Sequence, residues 1–434
     1  MNLIDWIKPG LRIKRWLLTG FIGILLLAIG LSDIFVKFGL GGYSNWATAA
    51  VIILGTILEY LALKGLIGSF LGFRRRKGLG TGEKDSNKNI IHERLLMRGP
   101  RIVVIGGGTG LSVLLRGLKS YTANITAVVT VSDDGGGSGV LRTDLGILPP
   151  GDIRNCILAL ADTEPVMEQL LEYRFKKGRL SGQNFGNLFI AAMNGISGNF
   201  EEAVKRISQV LAVTGQVLPL TLEDIVLYGQ LRNGVVVKGE SSIPEQALEH
   251  DSPIERVFLK PECPEPLPEV LEAIENADAI VLGPGSLYTS IIPNLLACGM
   301  VDGIYRSKAL KIYVCNIMTQ PGETDGYTVS DHIKAMEDHG GKKILDMVIV
   351  NNGSIDREYL QRYQADGSRP VIIDNEKIRP GIKTVSHNLV SVQDEYLRHH
   401  SIELARLITK LSVGNAPSLL DYYYYLAEMT SKGR

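Results

Sequence analysis

The chain carries little that would suit redox, zinc or general nucleic-acid chemistry. Its four cysteines, Cys156, Cys263, Cys298 and Cys315, stand far apart with no C-x-x-C pair and no finger spacing, so reduced, mostly buried thiols are expected. His332 and His339 lie seven apart, outside any H-E-x-x-H pattern, which sets a zinc site aside. Lys+Arg and Asp+Glu balance at 46 each, so the formal charge is zero and no basic field invites nucleic acid. No G-x-S-x-G elbow and no Cys/His constellation offers an activated nucleophile, and catalytic residues stay unassigned. A Walker lysine is missing too, since Lys119 follows Leu118 rather than a glycine.

What the 434 residues do have is apolar bulk, 45% of the composition, and two long apolar runs near the start. The first, Trp16 to Leu31, is interrupted by Ser32 and Asp33. At ~1.5 Å per residue it falls short of a ~30 Å hydrocarbon core unless residues up to Phe38 contribute. The second, Trp46 to Phe73, is broken by Glu59 and Lys64, which makes it the weaker span and requires those two charges to face each other, a partner helix or the headgroups. Lys8, Arg12, Lys14 and Arg15 precede the first run, Arg74, Arg75, Arg76 and Lys77 follow the second, and the turn from Gly39 to Asn45 is uncharged. Basic flanks stay in the cytoplasm, so a transmembrane hairpin with both ends inside is expected. It is preferred to a signal peptide because no small-residue cleavage site follows the first run. The expected organisation is a membrane hairpin over 1–77, a polar linker over 78–100 ending in a short helix, and an α/β domain with C-terminal helices over 101–434.

That domain opens on a buried-strand run, Ile102 to Ile105, then Gly106, Gly107, Gly108, Thr109 and Gly110, then the helical pattern LSVLLRGLKS. Glycine allows close backbone approach, and a helix start offers free N–H groups to an anion. A dinucleotide fingerprint would need a third glycine where Leu111 stands. A second strand, Ile125 to Val131, runs into Ser132, Asp133, Asp134 and the glycines 135–137. Carboxylates at that place accept from a ribose hydroxyl, hold Mg²⁺ against phosphates, or merely close an Asx turn. In PPGDIRN, Asp152 is positioned to cap the next helix, and Arg154, beside Asn155, can meet an anion. Asn187, in GQNFGN, either binds a base or sugar or caps its helix.

After a β-rich stretch from Val217 to Glu240, read as a mixed edge or subdomain, the pattern of strand, small polar loop and helix returns. Ala279 to Leu282 leads into Gly283, Pro284, Gly285 and Ser286, and Lys311 to Asn316 leads into Met318, Thr319, Gln320, Pro321, Gly322 and Glu323. Met347 to Asn351 reads as a further strand, His399 to Lys410 as a helix, and Tyr422 to Tyr425 as a packing cluster. Repeated small polar loops at strand exits point to a Rossmann-like, doubly wound, mainly parallel sheet.

Taken in order, IGGGTGLSVLLRGLK, TVSDDGGGSGVLR, PPGDIRNCILALAD, FGNLF, VLGPGSLYTSIIPNLL and VCNIMTQPGETDGYTVSDHI resemble the YvcK-like gluconeogenesis factor family, itself related to 2-phospho-L-lactate transferase (CofD-like). The resemblance spans roughly Arg101 to Gly353 and omits the hairpin. It implies binding of UDP-N-acetylglucosamine or a similar nucleotide sugar, coupled to control of cell-envelope precursor supply, cell shape and growth on gluconeogenic carbon sources. By the same resemblance, Gly107, Gly108, Thr109 and Gly110 would touch the phosphates or sugar, and Asp133 and Asp134 the polar or Mg²⁺-binding part. Asn187, Gly283, Gly285, Ser286, Thr319 and Gln320 would complete the site. Gly137 and Val140 replace the serine and arginine usual in relatives, and SGQNFGN replaces G-H-S-x-G-N, leaving Arg142 or Arg154 to compensate. A sensor needing no cofactor, with Mg²⁺ as an optional ion, is the first expectation, and a metal-dependent transferase of a phosphorylated group is the alternative. Expected partners are the ligand, the membrane, a regulated enzyme of amino-sugar or envelope synthesis, and a second copy of the chain, with no nucleic acid.

Overall fold

The computed structural model describes residues 13–37, 45–74, 92–393, 395–414 and 422. It comprises two compact units, Met1–Leu95 and Leu96–Arg434. In the first, the helices Ile13–Lys37 and Asn45–Arg74 run antiparallel. A Cβ on Gly20 would lie 3.4 Å from Ala62, on Gly23 3.2 Å from Glu59, and on Gly30 2.5 Å from Ile52, so small residues set the close approach. Only Trp46–Lys64, 19 residues with mean hydropathy 1.8, is long and apolar enough to cross a bilayer among the described residues, while Thr19–Ser32 is a shorter apolar stretch. Glu59 turns toward Gly23 of the other helix, and Lys64 lies 6.0 Å over the Tyr60 ring. The segment 75–91 lies outside the described residues, and the linker's expected short helix is seen at 92–96.

The second unit is built on a seven-stranded sheet in the order β10-β9-β8-β7-β1-β2-β3, every pairing parallel. Its strands are β1 Ile102–Gly106, β2 Ile125–Val129, β3 Gln216–Pro219, β7 Ala279–Leu282, β8 Leu310–Val314, β9 Met347–Asn351 and β10 Lys383–His387. β1, β2 and β7 are buried along their whole length, which is why they read as unbroken apolar runs: helices cover both faces. The β-rich stretch divides, β3 joining the main sheet while β4 Val226–Leu231, β5 Val236–Lys238 and β6 Ile254–Lys260 form a separate antiparallel sheet. β11 Val390–Gln393 and β12 Tyr396–His399 make a small hairpin, after which the helix Ser401–Val413 packs on the helix Gly108–Leu118. Tyr422 is buried against Gly99, and the other tyrosines of its cluster fall outside the described residues.

The strand order reverses between β1 and β7, so the chains leaving these two neighbours part to opposite faces and open a crevice at their carboxyl ends. One sequence expectation fails outside that crevice. Cys263 and Cys298, 35 residues apart, form a disulfide, and only Cys156 and Cys315 are free buried thiols. Spacing alone held no sign of it, because the loops after β6 and before the helix Met300–Arg306 meet only in the folded chain.

Candidate functional site

The glycines after β1 are required by close approach more than by backbone conformation. Gly107 is extended, but a Cβ there would fall 2.7 Å from an Asp152 carboxylate oxygen and 2.8 Å from Thr130 Cγ2. At Gly110 it would lie 2.7 Å from the Pro284 carbonyl, and at Gly285 3.2 Å from the Gly107 carbonyl. The exits of β1 and β7 therefore interlock backbone to backbone at the switch point. Gly108 has a positive φ of +67° and open space in front, where a Cβ would come no nearer than 3.8 Å to Ser290 Oγ. Its N–H donates to Asp152 at 2.7 Å. Asp152 thus caps the first loop rather than its own helix, Gly151–Leu160, which has no side-chain cap; the expected cap is corrected.

After β2, Asp133 and Asp134 point to different tasks. Asp133 accepts the Gly135 N–H at 2.9 Å, closing an Asx turn, while its other oxygen approaches Gly151. Asp134 accepts both the N–H and the hydroxyl of Ser241, at 3.0 and 2.9 Å, and so ties the antiparallel sheet's β5 exit down over this loop. Among the described residues no three His, Cys, Asp or Glu side chains converge as metal ligands. Arg142 is committed elsewhere, to Asp224 at 2.5 Å and to the Ile225 carbonyl, and does not face the loops. Arg154 does: its guanidinium donates to Asn187 at 2.7 Å and Asn155 at 2.8 Å. The helix cap expected of Asn187 is supplied by Asn184, which accepts the Asn187 N–H, leaving the Asn187 amide to orient Arg154.

The β8 exit is braced internally. Gln320 donates to Ser286 at 2.8 Å and accepts from Asn316 at 3.2 Å, while the Thr319 hydroxyl accepts the Arg369 N–H at 2.9 Å. Gln320 joins Ser286 across the crevice; Thr319 is held by the 369–371 segment instead. Buried Glu323 accepts from the Tyr288 N–H and the Thr289 hydroxyl on a π-helical turn, Leu287–Ile291, that starts the segment beyond Ser286.

The sequence profile of the 2-phospho-L-lactate transferase CofD family matches residues 102–390, the span that contains all of these loops. A Bacillus subtilis protein named gluconeogenesis factor is 47% identical over 314 residues, 72% of this chain and 98% of that relative. The chain belongs to the gluconeogenesis factor family. A Clostridium acetobutylicum relative named for the same role is 51% identical over 437 residues, 98% of this chain and 96% of its own. A crystal structure of a Bacillus halodurans protein superposes with a TM-score of 0.69 at 49% identity, covering 71% of this chain and 99% of that one.

Within the candidate site of this gluconeogenesis factor family member, carboxylates gather that the sequence did not single out. Glu240, which follows β5, and Glu323 join Asp133 and Asp152 in one field. Burial, then the charge of Asp133, pushes Asp152 up to about 6 against the pull of the Gly108 N–H and Arg154. Burial, then Asp133, Asp152, Glu323 and Asp134, pushes Glu240 up to about 8, and burial lifts Glu323 to about 7. Glu240 was invisible because it arrives from the antiparallel sheet; its only local cue is the KGESS turn. A cavity of about 450 Å³ lies at the opposite sheet edge, beside Ile102, Ile125 and Gln216 at the starts of β1, β2 and β3.

Proposed function

We propose that this chain is a sensor for a nucleotide sugar of the UDP-N-acetylglucosamine type, held at the carboxyl edge of β1, β2, β7 and β8. Through it the protein regulates cell-envelope precursor supply, cell shape and growth on gluconeogenic carbon sources. The observation that carries the reading is the interlock of Gly107, Gly110 and Gly285 at the switch point, which leaves the open, positive-φ Gly108 facing the crevice. A phosphate fits there, with Arg154 as counter-charge, Asn155 and Asn187 orienting it, and Ser286 and Gln320 on the far wall. Placing a diphosphate among Asp133, Asp152, Glu240 and Glu323 requires a cation between like charges, so Mg²⁺ should raise affinity. Membrane attachment through the N-terminal helices, with the site in the cytoplasm, belongs to the same proposal, as do a regulated enzyme of amino-sugar or envelope synthesis and self-association.

Calorimetry of the purified full chain against UDP-N-acetylglucosamine, UDP, GDP and NAD, with and without Mg²⁺, tests it. Tight binding of the UDP compounds alone, strengthened by Mg²⁺, is expected, and NAD or GDP binding as tightly would defeat it. The second reading, a transferase moving a phosphorylated group from a nucleotide-activated donor, draws on the CofD match and on carboxylates that hold protons near neutrality. Release of UDP or UMP well above background, lost in Asp133→Asn or Asp152→Asn, would establish it. Asp134→Asn is the poorer test, because that side chain holds Ser241.

A further inference from the structure

Among the described residues neither Arg154 nor Arg174 meets a carboxylate within ion-pair distance, unlike Arg142 and Arg379, which pair with Asp224 and Glu337. Yet the two are brought together by a continuous set of contacts. Arg174 forms an isolated antiparallel bridge with Asn184, and its guanidinium donates to the Gly182 carbonyl at 2.6 Å. Asn184 in turn accepts from Asn187, whose side chain accepts from Arg154. The stem of Arg154 runs across Gly186, where a Cβ would sit 2.6 Å from its Cδ. Arg174's charge is, after burial, the strongest influence lowering the proton affinity of Arg154. Two polar atoms close by are buried without a partner, Arg154 Nε and Gln183 Oε1, and the latter borders Gly137 of the second glycine loop.

We propose that Arg154 and Arg174 together form a two-guanidinium clamp for the diphosphate of the bound nucleotide sugar, Arg174 being a ligand-binding residue added to those already placed in the site. The inference rests on the nucleotide-sugar reading above. Guanidinium forks match phosphate oxygens in pairs, and a dianion between two cations removes the repulsion that the empty pair carries. Arg174 is exposed, so it reaches the anion from the solvent side while half-buried Arg154 meets it from within. The bridge from 173–175 to 182–184 then works as the element that brings the outer half of the clamp to the inner one.

The test is titration of the full chain and its Arg174→Gln and Arg174→Lys variants with UDP-N-acetylglucosamine, UDP and inorganic pyrophosphate. Arg174→Gln should weaken both UDP compounds at least tenfold, about 1.4 kcal/mol. Arg174→Lys, which keeps the charge and loses the fork, should recover part of the loss, and a loss in it alone carries the test if the Gln variant does not fold. Unchanged affinity in the variants overturns the clamp while leaving the nucleotide-sugar reading intact. If the parent chain binds no UDP compound, that reading fails by itself, and the clamp is judged on pyrophosphate. Weaker pyrophosphate binding in the variants upholds it, and equal or absent binding in all forms overturns it.

Discussion

The two glycine triplets, Gly106–Gly108 and Gly135–Gly137, both lead from a buried strand into a helix, the second only after Thr130 to Asp134, but they are built for different reasons. In the first, neighbours crowd the backbone: Gly107 is pressed by Asp152 and Thr130, and the triplet's continuation, Gly110, by Pro284. In the second, Gly136 has a φ of +47° with nothing within 4 Å of a Cβ, a Cβ on Gly137 would come 3.0 Å from Gln183 Oε1, and carboxylates tie the loop. One loop is a joint between two halves of a sheet. The other is an open, charged rim with a tie to the antiparallel sheet.

The largest effect should come from crowding the joint. Gly107→Val would drive a branched side chain into Asp152 and Thr130, and should cost about 3 kcal/mol or more in stability, read as a fall in Tm, together with loss of nucleotide-sugar binding. A variant as stable as the parent would mean the joint gives way easily and the contrast is wrong.

The charged rim should show itself through pH. Asp152, Glu240 and Glu323, at about 6, 8 and 7, bind protons more readily than ordinary carboxylates of 3.8 or 4.5. At these three carboxyls the folded chain therefore holds more protons than the unfolded chain between about pH 4 and 8. Stability from this source is full below pH ~4 and is lost as pH rises through 6 to 8. Without Mg²⁺, unfolding titrations should find several kcal/mol less stability at pH 8.5 than at pH 5 from these groups, and Glu240→Gln should shrink that difference. A pH dependence identical in the variant would remove Glu240 from the shared field.

The smallest effect belongs to the open loop. Gly136→Ala meets no neighbour and bears only the left-handed backbone, about 1 kcal/mol. Chemical denaturation that finds it as damaging as Gly107→Val would erase the distinction between the triplets.

Much of the frame was legible because parallel strands buried on both faces leave apolar runs, as at Ile102–Ile105, Ala279–Leu282 and Met347–Asn351, and small residues mark their exits. The family resemblance also held. What could not be read was partnership across distance. Asp152 looked like a local cap but serves Gly108, 44 residues earlier; Asp134 holds Ser241, 107 residues later; Glu240 enters from a separate sheet. Arg174 carries no motif at all, and the pairing of Cys263 with Cys298 needed the fold.

The interlock of Gly107 with Gly285 also bears on how the chain reaches its native state. These residues follow strands that pair directly yet are far apart along the chain, so their contact closes a very long loop and forms only when both halves of the sheet have assembled. The crevice at the β1–β7 junction therefore exists only once both halves of the sheet are paired. A ligand that spans the joint recognises only the completed sheet, and by mass action its abundance would set how much of the chain is kept assembled as well as how much is occupied.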